Sequence, residues 1–344
     1  NSATTGLYAA LLAVGVGPND EVILPPYTMS GSVAAILFTG ATPVFCDIDA
    51  DNYCLSPKDL SSKITPRTKC LMTVNLFGGS PNYDQIKIIC QERGVKIIED
   101  NAQAIGTKWN GEFTGTIGDI GVFSLNRHKN IQSGEGGVIT TNDEMLANKC
   151  RLIRNHGENA SDWLGIPETE QFNTLGLNFR MTEMEAAVAI CQLDKLEFIN
   201  TERTRVGVGL SKVFRSFDCF QPPKIHEKLT HTFHYFPVLF DEKSAGMTRH
   251  SFCKALSAEG FSTREGYTKP LYKLNILRHL SGISSRASLF NVGSCEPLKT
   301  VEEIESKLFL CNFMSPRMTN DQIDELGSAL HRILEHSDII SKSC

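Results

Sequence analysis

The sequence predicts an α/β protein, with a mainly parallel sheet in a large domain and a smaller C-terminal α/β domain behind it. Three observations carry this expectation. Short apolar runs alternate with helical runs through the first 140 residues, the pattern of parallel strands buried on both faces. One long helical run then occupies 182–217. Beyond it strand and helix signals resume, and 344 residues suffice for two cores. The expected division is 1–200 for the large domain and 201–344 for the small one.

In chain order, residues 7–14 read as a helix, 21–25 (EVILP) as a buried strand and 30–38 as a helix. Residues 42–48 and 69–74 read as strands, and 83–92 as a helix with Ile86, Ile88 and Ile89 on its apolar stripe. Residues 95–98 form a strand that ends in Glu99-Asp100, and 120–125 and 137–140 are two more. In the C-terminal part, 231–240 (HTFHYFPVLF) reads as a strand and 251–259 as a helix. An amphipathic helix over 321–336 carries Ile323, Leu326, Leu330 and Leu334 on one stripe.

Composition narrows the function classes. Hydrophobic residues at 41% and charged residues at 21% are ordinary for a globular protein. A net charge of −5 without a polybasic run argues against a nucleic-acid surface, which needs clustered Lys and Arg. No stretch reaches 18 apolar residues, so no membrane span is expected. The eleven cysteines are odd in number, and several, such as Cys46, Cys70, Cys90 and Cys191, sit in apolar runs. They read as free, buried thiols in a reducing cytoplasm. Asp47-Ile48-Asp49-Ala50-Asp51 imitates a calcium loop but lacks its glycine. His231 and His234, three apart on a strand, point to opposite faces. No metal is expected. The opening NSATTG reads as the interior of a domain, with a preceding segment expected to be missing.

Parallel sheets bind ligands beyond the carboxyl ends of their strands, and the chemistry-bearing residues gather there. Asp100 ends one strand; a carboxylate in that place either caps a helix or contacts a ligand. Lys129 lies between a strand end at Ser124 and the turn Gly134-Glu135-Gly136-Gly137. A loop lysine is ordinarily solvated, but glycines here permit close backbone approach. Ser2-Ala3-Thr4-Thr5-Gly6 opens the first helix, where hydroxyls cap and free N–H groups make an anion site. A Schiff-base lysine, an acid for a ring nitrogen and a phosphate cup are what pyridoxal 5'-phosphate (PLP) needs together.

Longer stretches sharpen the reading: NSATTGL at 1–7, DEVILPPYTM at 20–29, GATPVFCDID at 40–49, IIEDNAQAIG at 97–106, GDIGVFSLNRHKNIQSGEGGVITTND at 118–143, RLIRNHGE at 151–158 and LGLNFRMTEMEAAVAICQLDKL at 175–196. After 217 the landmarks are GYTKPLY at 266–272 and MSPRMTNDQID at 314–324. On these the chain resembles the DegT/DnrJ/EryC1/StrS family of PLP-dependent sugar aminotransferases. The resemblance implies a PLP-dependent transferase (aspartate aminotransferase-like) fold. It implies transfer of an amino group from L-glutamate or L-glutamine to a keto-sugar, most often nucleotide-linked, in sugar or polysaccharide biosynthesis.

By the same resemblance, Lys129 bonds the cofactor and shuttles the proton, Asp100 keeps the ring nitrogen protonated and Gln103 contacts the phenolic oxygen. Ser124 and the backbone around Ala3, Thr4 and Thr5 cup the phosphate. Asn178 matches the residue that reaches the phosphate of a partner subunit, implying a homodimer with shared active sites. Met29 stands where the family usually stacks Phe or Trp on the ring, with Tyr27 as a neighbour that could share that role. His156 and Arg180 are candidates on the substrate side, where structural roles fit as well. Two competitors keep the fold: a dehydratase, in which histidine replaces the lysine (His128 is adjacent), and a non-catalytic regulator. A nicotinamide dehydrogenase would need a Gly-x-Gly-x-x-Gly turn, which is absent. Acceptor specificity is expected in loops 157–174 and 262–297.

Overall fold

The computed structural model describes residues 1–158, 174–278 and 297–343; the expected specificity loops lie partly outside these. The large sheet consists of β1 (Glu21–Leu24), β2 (Thr42–Phe45), β3 (Thr68–Val74), β4 (Lys96–Asp100), β5 (Ile120–Ser124) and β6 (Gly137–Thr140). Their order is β2–β1–β3–β4–β5–β6. The first five strands run parallel, and β6 closes the edge antiparallel to β5. All four residues of β1 are buried, as expected of a strand covered on both faces.

The helices follow their local signals. In α1 (Ala3–Ala13), Ser2 is the N-cap and its Oγ accepts from the Thr5 N–H. Leu7, Leu11, Val22, Leu24 and Val122 join one core with Tyr267, Leu271, Val301 and Leu308, so the C-terminal half returns onto the large sheet. α2 (Ser30–Phe38) follows β1, and α3 (Pro57–Lys63) follows β2. α4 (Tyr83–Arg93) stops at Gly94 in the left-handed conformation. It buries Ile86 and Cys90, one turn apart, while Ile88 on the far side is 59% exposed; the expected stripe is corrected accordingly. α5 (Glu144–Arg154) is capped by Asp143.

The long helical run is two helices, α6 (Glu183–Leu193) and α7 (Leu196–Arg215). α6 starts with a capping box from Thr182 and Glu185 and buries none of its residues, which leaves Cys191 exposed rather than buried. α7 sends Val206, Leu210 and Phe214 into a second core rich in phenylalanine. That core lies on an antiparallel sheet of β7 (Phe220–Gln221), β8 (Pro237–Phe240), β9 (Thr263–Glu265) and β10 (Leu308–Cys311), in the order β9–β10–β8–β7. Helices Arg249–Ala258 and Asn320–Glu335 cover it. The strand expected from 231 begins only at Pro237; before it, Phe233 takes a φ of 45°, which no strand tolerates. Among the described residues no helix is long and apolar enough to cross a membrane.

Candidate active site

The carboxyl ends of β1, β3, β4 and β5 converge. In register, Val74 stands beside Asp100, and Asp100 beside Val122. Asp100 is 5% exposed. Its Oδ2 accepts from Ser32 Oγ at 2.7 Å and its Oδ1 from the Ala102 N–H at 3.2 Å. Burial raises its pKa, while those two donors and the charge of Lys129 oppose the rise.

Lys129 follows a turn closed by its own N–H on the Asn126 carbonyl at 2.9 Å. Its Nζ makes no hydrogen bond or ion pair among the described residues, although Asp100 is near enough to act on its charge. Burial pushes the amine below the usual lysine range, and Asp100 pulls the other way. The net shift is downward, which makes the amine easier to deprotonate than an ordinary lysine.

The start of α1 lies against the Gly136-Gly137 turn. Ser2 bridges Gly136, Gly137 pairs with Ser124, and a Cβ on Gly137 would fall 2.5 Å from the Ser2 backbone. Only glycine allows this approach. A Cβ on Gly31 would likewise meet Thr4 Oγ1 at 2.9 Å, so the start of α2, with Ser32 on Asp100, adjoins the start of α1. Ser124 Oγ, 7% exposed, accepts from the Asn126 N–H at 3.3 Å. Ala3 and Thr5 are half-buried and Thr4 is exposed.

Gln103 bridges two elements. Its Oε1 accepts from the Phe77 N–H at 3.1 Å, and its Nε2 donates to the Tyr267 hydroxyl at 2.6 Å. Tyr267 packs edge-on to Phe77 at 5.0 Å and to Tyr27 at 5.9 Å. The buried Tyr27 hydroxyl has the Tyr267 backbone as a neighbour but makes no hydrogen bond of ordinary geometry. Met29, the N-cap position of α2, is 52% exposed.

The remaining three candidates group elsewhere, beside the start of α1. Asn178 is exposed and its carbonyl accepts from Asn1 Nδ2 at 3.5 Å. Arg180 Nη1 donates to Asn155 Oδ1 at 2.7 Å. His156 is exposed, with a φ of 61°. None of the three hydrogen-bonds to Asp100 or Lys129 among the described residues. Ser32, Tyr267, Asn130 and His234 were not assigned to this site from the sequence; Tyr267 and Asn130 lay within the stretches GYTKPLY and 118–143, and His234 was weighed only as half of a metal pair. A groove of about 700 Å³ runs along β6 to the start of α1, lined by Ser2, Thr5, Gly137, Val138, Arg151 and Arg154.

These residues fit PLP on three counts. The amine is half-buried and has no partner among the described residues. The carboxylate is buried but held ionisable by two donors. The helix start sits in a cradle that a single Cβ would fill.

Comparison with known proteins agrees. The model of the DegT/DnrJ/EryC1/StrS aminotransferase family matches residues 1–290. Spore coat polysaccharide biosynthesis protein SpsC of Bacillus subtilis (strain 168) is 35% identical over 263 residues, 75% of this chain and 68% of that protein. The aminotransferase from Psychrobacter cryohalolentis superposes with a TM-score of 0.87 at 25% identity, over 98% of this chain and 86% of that one. DesI, solved in the presence of its TDP-sugar product, gives 0.83 at 25% identity, over 99% and 81%. The chain belongs to the DegT/DnrJ/EryC1/StrS aminotransferase family and is a PLP-dependent aminotransferase with the fold that its sequence predicts.

Proposed function

We propose that this aminotransferase moves an amino group from L-glutamate or L-glutamine to a nucleotide-linked keto-sugar in polysaccharide biosynthesis. The observation that carries the reaction is the half-buried Lys129 amine, without a hydrogen-bond partner among the described residues, near the buried Asp100 carboxylate. The similarity to SpsC and to DesI with its TDP-sugar product supports the sugar acceptor.

When bound, PLP supplies an electron sink for charge developing on the substrate carbon. The protein does the rest. Lys129 Nζ would hold the cofactor until the amine of the donor displaces it, and the freed Nζ would then take the proton from the substrate carbon and return it to the carbon on the other side of the nitrogen. Its lowered pKa makes it a readier proton acceptor than an ordinary lysine. Asp100 would hold a proton on the ring nitrogen, and Ser32 and the Ala102 N–H favour its carboxylate form against the burial that raises its pKa. Gln103, fixed by Phe77 and Tyr267, is placed for the phenolic oxygen. Ser124 and the start of α1 around Ala3, Thr4 and Thr5 take the phosphate, where helix N–H groups favour an anion. Met29 would pack on the ring. His156 and Arg180 belong to the substrate side or to the fold around Asn155.

The working form is a homodimer, with Asn178 reaching the neighbour's phosphate. Support comes from α6 and its flanks. Leu177, Met184, Val188, Ile190, Leu193 and Phe198 are all at least 47% exposed, and apolar surface of this extent marks an interface. Light scattering of Val188→Glu/Ile190→Glu should read a monomer; a dimer unchanged by both charges would place the interface elsewhere. The reaction is tested by absorbance of the PLP-loaded protein before and after L-glutamate, followed by TDP- and UDP-keto-sugars. Conversion to the amino form that no keto-sugar reverses would rule out the sugar acceptor.

A further inference from the structure

Residues 231–235 are held in a conformation that their own sequence does not favour. Phe233 sits at a φ of 45°, a region that a bulky side chain rarely enters. Contacts on every side enforce it. Arg203 of α7 donates from Nε and Nη2 to the Phe233 carbonyl at 2.8 and 2.6 Å, and from Nη2 to the His234 carbonyl at 2.8 Å. His231 Nδ1 accepts the Phe233 N–H at 2.9 Å. Gly207 and Gly78 make room: a Cβ on either would lie 2.6 Å from the Phe233 ring or from its nitrogen, respectively. Backbone strain survives only where its surroundings over-determine it, and it concentrates at functional sites.

The strained turn delivers His234, 6% exposed, to the residue next to Lys129. His234 Nδ1 lies 3.3 Å from Asn130 Oδ1. Asn130 Nδ2 donates to the Thr232 carbonyl at 3.2 Å and to Asn200 Oδ1 at 3.0 Å. Asn200 Nδ2 donates in turn to the Ile105 carbonyl at 2.9 Å. With both donors of Asn130 used, its Oδ1 must accept, so His234 Nδ1 carries the hydrogen. Burial and the positive charges of Lys129, Arg203 and His128 keep the ring neutral, and a neutral ring can hold that tautomer. Asn130 is therefore gripped from three sides, by His234, Thr232 and Asn200. Among the described residues the Lys129 side chain has no hydrogen bond of its own to fix it.

We propose that His234 is a positioning residue: through the Asn130 amide it locks the Lys129 loop to the C-terminal half and holds Nζ in line for proton transfer. The proposal rests on the reading of Lys129 as the reactive lysine. A proton carrier displaced by about 1 Å loses about 10²-fold in rate, so a lock on a loop lysine matters more than its few bonds suggest.

The test is a double-mutant cycle with His234→Leu, Asn130→Ala and the pair, beside His234→Asn, whose amide nitrogen can replace Nδ1. The first readout is acetylation of Lys129 by acetic anhydride in cofactor-free protein, followed by mass spectrometry and scaled to exposed lysines. Each single variant should change the Lys129 rate about threefold or more. The pair should go no further than either single, since coupled sites are non-additive, and His234→Asn should stay near wild type. With PLP bound, kcat of the glutamate half-reaction should fall about tenfold in His234→Leu, with cofactor affinity nearly unchanged. An unchanged Lys129 rate, additive effects, or His234→Asn behaving as His234→Leu overturns the lock. If His234→Leu does not fold, Asn130→Ala decides alone, and wild-type acetylation there overturns it too. Borohydride reduction of the PLP-loaded wild type tests the parent reading separately: cofactor fixed elsewhere than Lys129 sinks that reading, whatever the cycle reports.

Discussion

Asp100, Ser124 and Lys129 enter the site from the ends of adjacent parallel strands, while Tyr267 and His234 reach it from segments of the C-terminal half with no regular hydrogen-bond ladder. The first wall takes its precision from the sheet. Its residues stand where β4 and β5 end, and the ladder on either side fixes their spacing. The second wall is positioned by individual side-chain bonds, such as Gln103 to Tyr267 and Arg203 to the carbonyls of Phe233 and His234. The strand-end wall should therefore fail chemically while staying folded. The C-terminal wall should fail by losing geometry or stability.

The largest expected effect lies at Lys129. Lys129→Ala should lower amino transfer by about 10³-fold or more, within the range for a lost general base compounded by a lost anchor. The cofactor-free variant should unfold at a higher temperature than wild type at pH 7. The sign follows from linkage. The folded pKa of Lys129 lies below its unfolded value of 10.5, so in that window the unfolded chain binds more protons. Wild-type stability thus rises with pH towards 10.5, and the gain from removing the lysine shrinks over the same range. A melting-temperature series from pH 7 to 10 checks this; a gain independent of pH would mean that the amine is not buried at a cost.

Asp100→Asn comes next, with kcat expected to drop by about 10²-fold, the scale for one lost electrostatic contact to developing charge. Ser32→Ala removes only one of two donors to the same carboxylate and should lower kcat by about threefold to tenfold. Steady-state kinetics at saturating PLP separates the two. Equal losses would mean that Ser32, rather than Asp100, sets the carboxylate in place.

The same contrast explains what could be read from the residues alone. Parallel strands leave a local signature, an apolar run that ends in polar residues, and both Asp100 and Lys129 could be located from it. The glycine cluster at 134–137 pointed to a close backbone approach, which the Ser2–Gly137 contact supplies. Nothing local announces the other wall. Gln103 and Tyr267 are 164 residues apart, and Asn130 and His234 are 104. Residues 231–235 have the composition of a strand, but Arg203 binds two successive carbonyls and pulls the chain into a turn, an override of propensity by tertiary contacts. The break between α6 and α7 was hidden for a different reason: Asp194 and Lys195 keep right-handed helical dihedrals, and only the hydrogen-bond ladder is interrupted, with the Lys195 N–H on the Gln192 carbonyl.

The smallest effect, and one confined to the C-terminal wall, is acid sensitivity. His231 is buried with its Nδ1 accepting the Phe233 N–H, and burial pushes its pKa down to about 3. His234 is shifted in the same direction. Both are neutral when folded, so below the unfolded value of 6.5 the unfolded chain binds more protons and stability falls with pH. Between pH 7.5 and 5.5 each histidine should remove about 1.4 kcal/mol of unfolding free energy. His231→Asn keeps an acceptor for the Phe233 N–H but does not titrate. Urea unfolding of that variant should halve the loss over this interval while leaving stability at pH 7.5 within about 1 kcal/mol of wild type. A slope that stays at the wild-type value would assign the acid sensitivity to other groups, and would leave the turn at Phe233 held by Arg203 without help from a neutral His231.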